Sequence, residues 1–179
     1  AKWLGVPRNT VNQLNSPIDG TLLRRFAAAT EHKAGEPLWE IMRLIGDDLL
    51  AYLRNLRARL RFIGENAEVW TLGDLPDANG RAPAVLFLPR TEPLPEEPSA
   101  GLDRYVLEQG LDDRIVALIA PDRRSTGYGL SRHRDNPRLD FTRIAHEPDV
   151  HFAHARGFVA KTTATDPQRL RELLRLAAV

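Results

Sequence analysis

Cysteine is absent from these 179 residues, and lysine occurs only at Lys2, Lys33 and Lys161. Without cysteine the chain has no disulfide framework, no thiol nucleophile and no thiolate metal site. No apolar run approaches the ~20 residues that a membrane helix needs. The first residues also lack the apolar core of a signal peptide. We therefore expect a cytoplasmic protein that does not engage a membrane.

A large excess of charge of one sign is also missing, because the net charge is +1. The protein then has no overall electrostatic field that attracts nucleic acid, so any anion site must be a local cluster of cationic residues. The hydrophobic share of 42% and the charged share of 27% are those of an ordinary globular protein. Motifs of several enzyme classes are missing as well: there is no Gly-x-Ser-x-Gly elbow, no P-loop and no dinucleotide fingerprint.

The periodicity of apolar residues changes near residue 65. From Glu36-Pro37 to Ile63, apolar residues recur at steps of three and four, which predicts a long amphipathic helix. Beyond it, short apolar runs are bounded by Gly, Pro, Asp and Asn, as is typical of strands. We predict an α+β fold, with a helical connector segment at 1–64 followed by a small mixed β-sheet domain flanked by helices at 65–179.

The strands and helices of the second half can be placed individually. Two runs surrounding a turn at 77–80 predict a hairpin, and Asp166-Pro167 predicts the start of a terminal helix. The other predicted elements are a helix at 101–111, a buried strand at 114–120, a strand at 128–131, a short helix at 141–145 and a strand at 157–162.

Cationic side chains are concentrated between Tyr128 and Lys161. Forked guanidinium donors of this kind suit phosphate or carboxylate ligands. The alternative is a solvated surface loop balanced by nearby acidic residues. Within the stretch, His151 and His154 have the i, i+3 spacing of metal ligands on a helix. The glycine that follows favours a strand or turn instead, so donation to a phosphate fits the surrounding arginines better.

The segment 114–163 resembles the C-terminal domain of the DHH phosphoesterase superfamily, which includes RecJ-like exonucleases, oligoribonucleases and exopolyphosphatases. The similar parts are the strand Ile115–Ile119, the strand Gly127–Arg132, the stretch Pro137–Ile144 and the loop Val150–Phe158. The family has a run of glycines before a histidine that contacts substrate phosphate. This chain has Val150-His151-Phe152-Ala153 before His154 instead.

The resemblance implies a domain that binds the phosphates of a nucleotide or short single-stranded nucleic acid. By position, His154 matches the family's substrate histidine and Arg132 matches its substrate arginine. The implied contacts are Arg132, Arg134, His151, His154, Arg156, Gly157 and Lys161. The family's catalytic metal site, with its Asp-His-His signature, lies in a preceding domain that nothing here matches. We therefore expect no catalytic residue, metal ligand or cofactor in this chain, with manganese or magnesium bound only by the missing half. A homodimer is a further expectation.

A second hypothesis begins from residues 4–14, which look like the turn and second helix of a helix-turn-helix. Polar side chains there could reach base edges. A transcription regulator with a C-terminal ligand-sensing domain would have this organisation. A short packing helix and a ligand-free α+β interaction domain are the remaining alternatives.

Overall fold

The structure is a computed structural model that describes residues 33–73 and 82–179. The chain divides into two compact units, residues 1–54 and 55–179. This division lies inside a helix, about ten residues before the boundary at residue 64 that the change in periodicity predicts. The segment behind the helix-turn-helix hypothesis, residues 4–14, lies outside the described residues.

The long amphipathic helix α1 spans Pro37–Asn66. In its first half, Arg43 bridges Glu40 and Asp47 along an exposed face. Its last turns reach a hydrophobic core of the second unit, where Ile63 is fully buried. No helix within residues 33–73 and 82–179 is long and apolar enough to cross a membrane.

A mixed six-stranded sheet forms the centre of the second unit, which confirms the predicted α+β class. Its strands are β1 (Glu68–Thr71), β2 (Ala84–Phe87), β3 (Ile115–Pro121), β4 (Tyr128–Arg132), β5 (Val150–Ala153) and β6 (Val159–Thr162). They are arranged in the order β1-β2-β3-β4-β6-β5. Only β2 and β3 run parallel; the other neighbours are antiparallel. The predicted hairpin of β1 and β2 is therefore present, whereas β5 is a strand that the sequence did not predict.

Helices cover the two faces of this sheet unequally. The terminal helix α3 (Pro167–Leu176) packs over one face and buries Leu170, Leu173 and Leu174 against residues of most strands. On the other face, the end of α1 and helix α2 (Leu102–Glu108) pack against β2 and β3. That second core contains no residue of β4, β5 or β6. One half of one sheet face therefore lies beyond the helices described in this unit.

Local sequence explains how α3 is attached. Asp166 caps its first turn by accepting hydrogen bonds from the amides of Gln168 and Arg169. The Arg169 guanidinium then donates to Asp149 at 2.7 and 2.9 Å and to Glu147 at 2.6 Å. The bonds from Arg169 to Asp149 lower the pKa of the Asp149 carboxyl below its ordinary value. Because Asp149 immediately precedes β5, this ion-pair group ties the edge strand to the terminal helix.

Candidate functional site

The half of the sheet face that the described helices leave uncovered, called here the uncovered face, carries a row of small and polar side chains. Residues directly opposite each other in antiparallel strands point to the same side. The pairs Gly129–Lys161 and Ser131–Val159 therefore share a face with Leu118 and Ala120 of β3, which are opposite Ser131 and Gly129. The alternate residues Tyr128, Leu130 and Ala160 lie in the core under α3.

A cleft of about 320 Å³ lies over this row. Strands β3, β4 and β6 form its floor, and helix α2 borders it through Leu102 and Asp103. Gly129 contributes no side chain to the floor, and Ser131 contributes only a hydroxyl. The Ser131 Oγ lies 3.5 Å from the carbonyl of Leu118, too far for a strong hydrogen bond. A ligand can thus approach the backbone closely and meet a hydroxyl donor there.

Lys161 is the cation of this cleft. Its Nζ donates to Asp122 Oδ1 at 3.0 Å, while about a third of the side chain remains exposed. Burial alone would raise the pKa of Asp122, but bonds from Lys161, Ser125 and the Arg124 amide outweigh it and lower that pKa. The carboxylate fixes the ammonium in place and leaves two of its three N–H groups for other acceptors.

His154 stands at the far end of the same face. Its amide bonds to the carbonyl of Val159, which continues the pairing of β5 with β6 beyond Ala153. The ring Nδ1 accepts from the amide of Arg156 at 3.1 Å. In the neutral ring the proton is then on Nε2, so His154 presents an N–H donor. Its ring also packs at 4.0 Å from that of Phe158.

Two of the seven contacts implied by the resemblance, Lys161 and His154, thus share the uncovered face. His151 is exposed at an irregularity of β5, and Arg156 is exposed in the turn that follows His154. Gly157 is buried with a positive φ of 67°, and a Cβ there would meet Asp140. The positive φ and the close contact with Asp140 therefore explain why glycine occupies this position in the turn. Ligand binding by these residues stays a prediction.

Arg132 and Arg134 point elsewhere. By strand alternation Arg132 is on the side of Tyr128 and Leu130, and its guanidinium donates to the carbonyls of Leu139 and Arg156. Arg134 has a left-handed backbone with φ of 46° and bonds to Asp112. Both guanidiniums therefore connect parts of the fold, and neither belongs to the cleft row.

His133 is a buried histidine that the sequence did not single out. It is 2% exposed, and its two ring nitrogens lie 2.8 Å from Asp103 and 2.9 Å from Asp112. Asp103 also lines the cleft, so this histidine holds a cleft carboxylate in position. A histidine between two acidic residues thirty and twenty-one positions away leaves no local signal in the sequence.

A second, smaller hollow of about 200 Å³ lies beside α3 and the end of β1. Arg171 and Arg175 line it with Leu72 and Leu174. The Arg171 guanidinium is 4.4 Å from the centroid of the Trp70 ring. This hollow is on the opposite sheet face from the cleft and contains none of the residues implied by the resemblance.

Among the residues that the structure describes, no three His, Cys, Asp or Glu side chains are grouped to hold a metal ion. The cleft therefore offers a hydroxyl, one ammonium paired with Asp122, the carboxylate of Asp103 and a small-residue floor, which is chemistry for binding a polar ligand. Fold and site together define an α+β domain with a polar cleft on one sheet face. Comparisons with protein-family models, curated proteins and solved structures find no match to the chain.

Proposed function

We propose that this chain binds the phosphates of a nucleotide or short single-stranded nucleic acid, as the substrate-binding portion of a DHH-type phosphoesterase or exonuclease. The supporting observation is that Lys161, His154 and Ser131 present donors on one uncovered sheet face. Gly129 between them permits close approach. A charge-assisted bond from Lys161 and neutral donors from the other two match the acceptor oxygens of a phosphodiester.

The distribution of charge favours one end of the cleft for the phosphates. Asp103, at the α2 side, is a largely exposed carboxylate that repels an anion. At the other side are Lys161 with its partner Asp122, the Nε2–H of His154 and the exposed Arg156. We place the phosphate between Lys161 and His154.

The chain contributes binding to the reaction and leaves hydrolysis to the metal-binding half. Phosphoester hydrolysis in this superfamily depends on metal-activated water. Lys161 in the cleft and His154 beyond it on the same sheet face, with its Nδ1 already bonded, hold and orient a phosphate.

The proposal is tested with 5′-labelled hexathymidylate, following anisotropy and product length with and without manganese. We expect salt-sensitive binding and no cleavage. His154→Asn keeps an acceptor for the Arg156 amide but removes the Nε2–H donor, and Ser131→Leu fills the cleft floor. Each variant should weaken binding at least about tenfold, since one lost bond to a charged group is worth roughly 1.5 kcal/mol or more.

Arg175→Gln is the matched control because it removes an exposed charge on the opposite sheet face. It should bind like the unchanged chain. Unchanged affinity in both cleft variants would contradict the proposed site. Manganese-dependent cleavage by this chain would contradict the assignment of catalysis to a missing half.

A further inference from the structure

Phe152 is a large, exposed apolar group on the uncovered face. It is 44% exposed, although the other apolar residues of its strand, Val150 and Ala153, pack against the core under α3. In a regular strand Phe152 would share the side of Val150. The chain therefore departs from regular alternation at this one residue.

The departure has a definite structural cause. Val150 pairs with Thr162 and Phe152 pairs with Lys161, so the register shifts across His151. A bulge of this kind re-aims a side chain, and bulges are common next to binding sites. It turns Phe152 away from the core and places it directly opposite Lys161, on the same side of the sheet.

The neighbours of Phe152 on this face include polar and aromatic side chains besides Val159. The ring of His154 lies 6.5 Å from it in an edge-on arrangement, and Ser131 lies one strand farther in. An exposed aromatic ring beside an ammonium and a hydroxyl is the arrangement by which sheet surfaces hold single-stranded nucleic acids. The bases stack on the ring while cationic groups bind the backbone.

We propose that Phe152 is a base-stacking platform, which makes the ligand a single-stranded oligonucleotide rather than a phosphate chain without bases. This inference rests on the proposed phosphate-binding function and adds the class of ligand. Phe152 provides the π-face, and Lys161, its cross-strand neighbour, holds the adjoining phosphate. Stacking is tolerant of base identity, so we expect affinity to differ little among the four bases.

The test uses Phe152→Leu and Phe152→Trp with three probes: hexathymidylate, an abasic hexamer of the same length, and inorganic tripolyphosphate. Stacking on one aromatic residue is worth about 1–3 kcal/mol, so Phe152→Leu should bind hexathymidylate about 5- to 150-fold more weakly. Phe152→Trp should keep the affinity. Both variants should bind the abasic hexamer and tripolyphosphate as the unchanged chain does.

Leucine keeps an apolar side chain of similar reach at an exposed edge position, so thermal unfolding should be unchanged and a binding loss is not a folding defect. Hexathymidylate affinity unaffected by Phe152→Leu would overturn the platform, with the phosphate-binding function still standing. Equal binding of the abasic hexamer and hexathymidylate by the unchanged chain would overturn it too. Absence of binding to all three probes would overturn the proposed function and the platform together.

Discussion

Replacing Arg169 tests how the edge strand that carries Phe152 and leads to His154 is held in the fold. Arg169 is about three-quarters buried, and its partners Glu147 and Asp149 are each about one-fifth exposed. Its third partner, Glu172, is 58% exposed. Arg169→Met keeps the aliphatic stem on α3 but leaves two poorly solvated carboxylates without their cation.

The expected change in the free energy of unfolding follows from how exposed Arg169 and its three partners are. Bonds to charged partners are worth about 1.5–3 kcal/mol each when well buried. Exposed ion pairs are worth only about 0.2–1 kcal/mol, so the Glu172 pair contributes little. With partial solvation of the other two, we expect Arg169→Met to lower the free energy of unfolding by about 2–3 kcal/mol.

The loss of unfolding free energy caused by Arg169→Met should also depend on pH. Arg169 lowers the pKa of folded Asp149 below the ordinary value of 3.8. The resulting stabilisation is fully present above that ordinary value, and it disappears as the pH falls through the folded pKa. The difference in stability between the unchanged chain and Arg169→Met should therefore be largest near neutral pH and shrink below about pH 4.

Urea unfolding followed by circular dichroism at pH 7 and pH 3 measures both quantities. Gln168→Met, the adjacent exposed position on α3, is the control and should change stability by less than about 0.5 kcal/mol. A difference for Arg169→Met that is small at pH 7, or equal at both pH values, would refute this reasoning.

The remaining predictions concern backbone and capping. Gly127→Ala should destabilise by about 2 kcal/mol or more, since its Cβ would lie 2.7 Å from Thr163 Cα and press on the Thr162 carbonyl. Gly129→Ala is its matched control: its Cβ meets nothing closer than 3.9 Å, so the melting temperature in differential scanning calorimetry should hardly change. Equal effects of the two alanines would show that the packing at Gly127 is misassigned. Asp166→Ala removes the α3 cap and should lower the free energy of unfolding by about 1 kcal/mol in urea titrations. Asp166→Asn should retain most of the stabilisation that the cap provides.

The pattern of apolar residues in the sequence was sufficient to predict most strands of the sheet. The run before Ala120 reads as a buried strand, and β3 is buried at every position. Strand β5 was not predicted from the sequence because its bulge at His151 breaks the alternation of apolar residues. Strand prediction relies on apolar and polar residues alternating with a period of two, and this alternation is lost where a bulge shifts the strand register.

The candidate site was less predictable than the fold. Alternation along β4 already separates Ser131 from Arg132, so the sequence contained the signal that Arg132 leaves the cleft face. The position of Asp103 through His133 depends on packing between distant segments and has no local signature. Identifying which cations share a face therefore required the strand register as well as the residue types.

The most direct test of the central claim is to locate the ligand on the protein. Amide chemical shifts of the isotope-labelled chain would be followed by NMR during titration with hexathymidylate at low salt. The account predicts that the largest changes fall on Gly129, Ser131, Phe152, His154 and Lys161. Changes confined to the hollow near Arg171, or no change at saturating oligonucleotide, would contradict it.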